Sequence, residues 1–214
     1  MSSPRPATPE AIAALVAARA DALDVGHPAR LLIDEPPWAG LRLARLVAAA
    51  LEALSRQVLL VDVADFLRPA SLRLERGRDD PDAFYEDWID VAALRREVLE
   101  PAGPGGTRRL LPSLWDASAD RATRADYVAM PDGSVVIVAG WFLLGAGLPA
   151  ELAVHVALSA AARARRVPPE AAERELPAWD RYDDEVRPAT WADIVVRADD
   201  PRHPAVVDRT GHPT

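Results

Sequence analysis

The sequence predicts an α/β protein built as a three-layer, doubly wound parallel sheet. Short, almost uninterrupted apolar runs recur at 31–34, 58–63, 135–139, 153–158 and 194–196, with the length and β-branched content of strands buried on both faces. Stretches with helical apolar spacing lie between them, so strands and helices alternate as in βαβ units. A chain of 214 residues, half of them hydrophobic, can bury one sizeable core. The organisation expected is a lead-in with a helix over 1–29, one α/β domain over 30–200 and a C-terminal tail over 201–214.

The elements follow in order. Thr8-Pro9-Glu10 reads as N-cap, first-turn proline and first-turn acid, and Ile12, Leu15, Val16, Ala20 and Leu23 then share one face, so a helix is expected to end near Gly26. The first strand, 31–34, feeds a tight loop that opens into a helix reaching about Leu54. The run 58–63 is apolar except for Asp62 and reads as a buried parallel strand. A long charged loop over 65–82 is too polar for core, and loops of that length usually bind something or are disordered. A helix over 81–99 carries Phe84, Trp88, Val91, Leu94 and Val98 at helical spacing, its aromatics read as packing. A Pro/Gly turn at 101–106 precedes a short irregular strand or hairpin over 108–116. After the strands 135–139 and 153–158 come a short basic helix, 159–166, an acidic helix, 168–182, and a last strand at 194–196. The final ten residues read as loosely held.

Composition excludes several classes. The formal charge is −8, which disfavours a general nucleic-acid or anionic-membrane surface. All 25 basic residues are arginines. With no cysteine, disulfides, thiolate metal sites and a cysteine nucleophile are absent, and the chain is compatible with the cytoplasm. The N-terminus lacks the basic-then-apolar order of a signal peptide. The longest uncharged stretch, 133–150, contains four glycines and reads as two buried segments rather than a membrane span. The four histidines, His27, His155, His203 and His212, show no metal-ligand spacing.

The strand, loop and helix over 31–51 form the frame of a phosphate-binding loop. In the working pattern, G-x-x-x-x-G-K-[ST], backbone N–H groups and the helix N-terminus cradle phosphates, the lysine reaches them and the hydroxyl holds Mg²⁺. Laid on it, the first glycine is Glu35, the second is Gly40, the lysine is Leu41 and the hydroxyl position is Arg42. No other lysine exists to replace the missing one. Pro36 and Pro37 remove two donors. At about 4 Å and a surface-like dielectric, Glu35 would repel each unit of phosphate charge by on the order of 4 kcal/mol. Trp38 is expected either to plug the empty donor pocket or to lie on the surface.

Further along stand Arg68-Pro69 after Asp65-Phe66, the run Gly77-Arg78-Asp79-Asp80-Pro81-Asp82-Ala83-Phe84-Tyr85, then Gly103-Pro104-Gly105-Gly106-Thr107-Arg108-Arg109, Trp115-Asp116, and Glu185-Val186-Arg187-Pro188 before 192–196. In this order and spacing the set resembles the uridine kinase branch of the P-loop kinases, in its high-GC bacterial form, over most of the chain from 31 to 196. The resemblance implies a P-loop kinase-like fold, an ATP donor site at the loop, a nucleoside acceptor pocket and a mobile lid carrying arginines. It also implies where catalytic parts should stand. The acceptor base falls on Ala64, the acid before Gly140 falls on Ala139, and the lid pattern Pro-x-x-Arg appears as Pro177-Ala178-Trp179-Asp180.

These losses converge on the transferring phosphate and its metal, whose neutralisation is most of what such a kinase does. The expectation is therefore a uridine-kinase-like protein that has lost ATP-dependent phosphotransfer, a pseudokinase with a degenerate loop around Trp38, Gly40 and Arg42. It would act as a nucleoside- or metabolite-binding, regulatory or scaffold protein. Its partner would be a nucleoside-like or sugar-like molecule or another protein, with a homo-oligomer compatible and no nucleic acid or membrane. On the acceptor side the resemblance leaves Asp79, at a sugar-binding position, Trp115 and Asp116 near the base, and Arg108. No metal or cofactor is expected. The alternative is an active ATP- and Mg²⁺-dependent nucleoside or small-metabolite kinase using Arg42 for the lysine and Asp65 for the base. Against it, a strand-like segment would aim Asp65 away from the side Ala64 faces. Arg163, Arg165 and Arg166 are candidates for residual lid arginines or a solvated helix face.

Overall fold

The computed structural model describes residues 3–209. Its strands are β1 (Arg5–Pro6), β2 (Ala29–Asp34), β3 (Val58–Asp62), β4 (Arg109–Leu110), β5 (Trp115–Asp116), β6 (Arg121–Ala122), β7 (Val128–Ala129), β8 (Val135–Gly140), β9 (Leu152–Ala157), β10 (Ile194–Arg197) and β11 (Ala205–Asp208). Seven of them form one sheet in the order β1-β11-β10-β9-β2-β8-β3. The run from β3 to β10 is parallel throughout, whereas β11 and β1 are added antiparallel. With helices on both faces this is a three-layer, mostly parallel α/β sheet.

Alternation along the central strands explains the two cores. Leu31, Ile33, Val135, Ile137 and Ala139 face a layer made by α1 (Pro9–Asp21) and α2 (Arg42–Ala53). Leu32, Val136 and Val138 face the opposite layer, where Phe66, Phe84, Leu94, Leu99, Trp141, Phe142, Trp179 and Tyr182 gather. An apolar run without alternation is what a strand covered on both faces requires. The Thr8 hydroxyl caps α1 by accepting from Ala11 N, as its position predicts.

Four expectations change. The strand at 58–62 lies at the sheet edge, and only Val61 in it is fully buried. The helix expected over 81–99 is broken. It becomes α4 (Pro81–Glu86), then α5 (Val91–Leu94), which continues through a π turn over Arg95–Leu99 into α6 (Glu100–Ala102). The break has a local cause: Asp90 accepts from Ala93 N at 2.9 Å and starts a new helix, while Ile89 makes a bridge to Leu67. The charged loop is ordered in part, with a 3₁₀ turn over Val63–Phe66 and a short helix α3 (Ala70–Arg73). Finally, the last ten residues include β11, which pairs with both β10 and β1; residues 210–214, with His212, lie outside the described residues.

The basic helix is α7 (Ala160–Ala164), capped by Ser159, and the acidic one is α8 (Ala172–Glu185), which keeps Pro177 inside it; α9 (Pro188–Trp191) leads into β10. No helix among the described residues is long and apolar enough to cross a membrane.

Candidate functional site

The connections on either side of β2 run in opposite directions, so its carboxyl end is a topological switch point, where open α/β sheets bind ligands. Leaving β2 at Asp34, the chain donates Glu35 N–H to the Gly140 carbonyl (2.7 Å), makes a 3₁₀ turn over Pro37–Ala39, and passes through left-handed Gly40 (φ 63°) and Leu41 (φ 55°) into α2. Glu35 is 2% exposed. Its carboxyl lies over the first turn of α2, accepting from Leu43 N at 3.4 Å and Ala44 N at 3.3 Å. Those amides, at the positive end of a twelve-residue helix, are the donors a phosphate would use. The side chain expected to stand beside a phosphate and repel it instead occupies the cradle. Burial pushes the Glu35 carboxyl up to about 7, opposed by the Ala44 and Leu43 amides and reinforced by the charges of Asp34 and Asp62.

Beside this loop is a cavity of about 280 Å³, walled by Ile12, Leu43, Leu46, Val156, Leu158 and Val196. Trp38, half-buried, lines it without filling it, and Glu35 lines it too. The Trp38 indole lies against the buried Glu175 of α8, whose carboxyl is raised by burial; the Trp38 N–H and Glu175 Oε2 are buried without a well-formed hydrogen bond. Arg42 opens α2, is exposed at the cavity wall, and has no side-chain partner among the described residues.

Beneath the loop lies a network that no sequence pattern announced. Asp34 is fully buried; its Oδ2 is 2.7 Å from His155 Nδ1 and accepts from the Tyr182 hydroxyl at 3.1 Å, while its Oδ1 accepts from Leu143 N at 3.0 Å. Leu144 N–H donates to the same tyrosine oxygen at 3.1 Å. Desolvation and the neighbouring Asp34 hold the Tyr182 phenol far above its ordinary range. The network ties α8 to the centre of the sheet. The one available signal was a charged residue ending an apolar strand, Asp34, and a histidine inside another, His155.

On the side where the resemblance places the acceptor, aromatic rings pack closely and leave a cavity of about 160 Å³ lined by Tyr85, Ile89, Phe142, Leu144 and Tyr182. Phe142 packs on Trp179 with ring centroids 4.7 Å apart, on Tyr182 at 5.0 Å and on Phe84 at 5.4 Å. From α8, Arg174 lies over Trp88 at 4.9 Å and Arg181 over Tyr85 at 4.7 Å, closing α8 onto α4. Arg181 also pairs with Asp82, Glu86 and Glu185. Asp180, where the lid pattern has arginine, binds the buried Arg163 at 3.0 Å together with Asp183. Arg166 is committed to the Ala198 and Asp199 carbonyls.

The other candidates are placed as follows. Asp79 is half-exposed and 3.9 Å from Arg174. Trp115 donates to Asp120 at 3.2 Å, and Asp120 lies near Arg73, which stacks on Trp88, so Asp79 and Trp115 belong to one chain of contacts. Asp116 is spent on its own turn, accepting from Ser118 N, Ser118 Oγ and Ala119 N. Arg108 is not brought to this side. It binds Asp132 and the carbonyls of Gly103, Gly106 and Gly26, near the starts of β8 and β2. Asp65 sits in a 3₁₀ turn, so strand alternation does not set its direction. Burial and the charge of Asp62 raise its carboxyl, and the Ser113 side chain is its hydrogen-bond partner. No cluster of three or more His, Asp or Glu able to hold a metal exists among the described residues.

No protein-family profile and no curated protein sequence matches this chain. Solved structures do. A possible uridine kinase from Bacillus stearothermophilus superposes with a TM-score of 0.69 at 17% identity, covering 86% of this chain and 96% of its own. A candidate fructose transport system kinase from Silicibacter sp. TM1040 gives 0.53 at 20% identity, covering 87% and 90%. At these identities the likeness establishes the fold, which is that of P-loop kinase-like proteins.

Proposed function

We propose that this protein is a uridine-kinase-like P-loop protein without ATP-dependent phosphotransfer, acting by binding a nucleoside-like or sugar-like molecule or a protein partner. The observation that carries the reading is the Glu35 carboxyl seated on the Leu43 and Ala44 amides. A triphosphate would have to displace a buried group and then meet a loop without lysine, without a Mg²⁺ hydroxyl and without a metal-ligand cluster. The experiment is calorimetric titration with Mg-ATP. No magnesium-dependent binding is expected at millimolar nucleotide, and tight magnesium-dependent binding would sink the proposal.

One observation favours the competing reading of an active kinase: Arg42 is a permanently charged group at the helix start, without a side-chain partner among the described residues. A turnover assay over nucleosides and sugars, repeated with Arg42→Ala, tests it. Under the proposed reading both proteins are silent.

A further inference from the structure

The cavity beside the loop has a composition unlike the cradle it adjoins. Its walls come from several parts of the chain: Pro9 and Ile12 of α1, Glu35, Pro36, Trp38 and Ala39 of the loop, Leu43 and Leu46 of α2, Val156 and Leu158 at the end of β9, Arg166, Val196 of β10 with Ala198 just after it, and Pro201 with Pro204 before β11. Three charged groups reach it. Glu35 is engaged by two backbone amides, and Arg166 by two backbone carbonyls. Arg42 alone has no partner among the described residues. The slot therefore offers an apolar interior of about 280 Å³, just below the usual size range of small-molecule sites, and one uncommitted cation on its wall.

We infer that this slot binds a small apolar monoanion, such as a short-chain or aromatic carboxylate, with its hydrocarbon body against Ile12, Leu46, Leu158 and Val196 and its anionic group on Arg42. The class follows from three constraints. A fully polar ligand would leave its groups unpaired against the apolar walls. A neutral apolar ligand would leave Arg42 unused. A polyanion would bring more charge than one arginine matches, with the nearest amides already taken by Glu35. The inference rests on the proposed function in one respect, that Glu35 closes the phosphate route.

The test uses the full chain with octanoate as probe, octan-1-ol as its neutral counterpart and Mg-ATP as competitor, followed by calorimetry. Octanoate is expected to bind about tenfold more tightly than octan-1-ol, the scale of one charge-assisted hydrogen bond. Arg42→Gln should abolish that difference while leaving the alcohol unaffected. Leu46→Trp and Leu158→Trp, two half-buried positions on different elements, should each remove binding of both probes. Thermal melting of each variant confirms folding, and having two blockers keeps the test decisive if one fails to fold. Absence of octanoate binding to the wild type, or binding untouched by the folded blockers or by Arg42→Gln, overturns the inference. Displacement of octanoate by Mg-ATP would instead overturn the proposed function, leaving the slot located by the blockers.

Discussion

The donor side and the acceptor side of this fold are both occupied by the protein itself, by opposite means. On the donor side one buried carboxyl rests on two amides at distances of 3.3 and 3.4 Å, and a cavity remains beside it. On the acceptor side four aromatic rings pack on Phe142 with centroids 4.7–5.4 Å away, and α8 is clamped above them by arginines. A polar occupant in a polar cradle is held loosely and responds to pH; an aromatic occupant is held by packing and does not.

The comparison can be broken most strongly at the rings. Trp179 is 2% exposed and touches Phe142 and Tyr182, so Trp179→Ala should cost about 3–5 kcal/mol in urea unfolding. A loss below about 1 kcal/mol would mean that the acceptor side is not packed as core.

Glu35 comes next, and its sign can be worked out. Its carboxyl ionises near 4.5 unfolded and near 7 folded, so the folded state holds the proton more tightly. That contribution to stability is complete below about pH 4.5 and is lost as pH rises through 7, up to roughly 3 kcal/mol in all. Glu35→Gln should be more stable than wild type at pH 8.5 and lose the advantage at pH near 4. Parallel stability profiles of the two proteins from about pH 4 to 8.5 would contradict the buried seat.

Tyr182→Phe sharpens the link between the two sides, because the hydroxyl joins α8 to Asp34. A loss of about 1–2 kcal/mol is expected, with faster amide exchange in α8. The smallest effect belongs to Arg181→Ala, whose partners Asp82, Glu86 and Glu185 are largely exposed. Its cost should stay under about 1 kcal/mol and shrink further in high salt.

The buried strands were legible because chain covered on both faces must be apolar at every position, as 31–33 and 135–139 are. The break between α4 and α5 was not, since Phe84, Trp88, Val91 and Leu94 keep helical spacing across it and only the capping role of Asp90 reveals it. β11 is four residues long and depends on partners distant in sequence, so local pattern marked it weakly. At the site, Glu35 and Arg42 were visible as departures from the loop pattern. The seat of Glu35 was not, because it depends on a side chain folding back onto amides eight and nine positions later. The Asp34, His155 and Tyr182 network joins residues over a hundred positions apart, beyond any local signal.

The pairing of β1 with β11 matches Arg5 to Val206, and Ala7 N–H donates to the Pro204 carbonyl at 3.1 Å. Contacts of such sequence separation carry a large loop-closure cost. Pro9 and Pro204, which flank that pairing, are two walls of the apolar slot. The slot is therefore closed on that side only when β1 and β11, separated by about two hundred residues of chain, are paired.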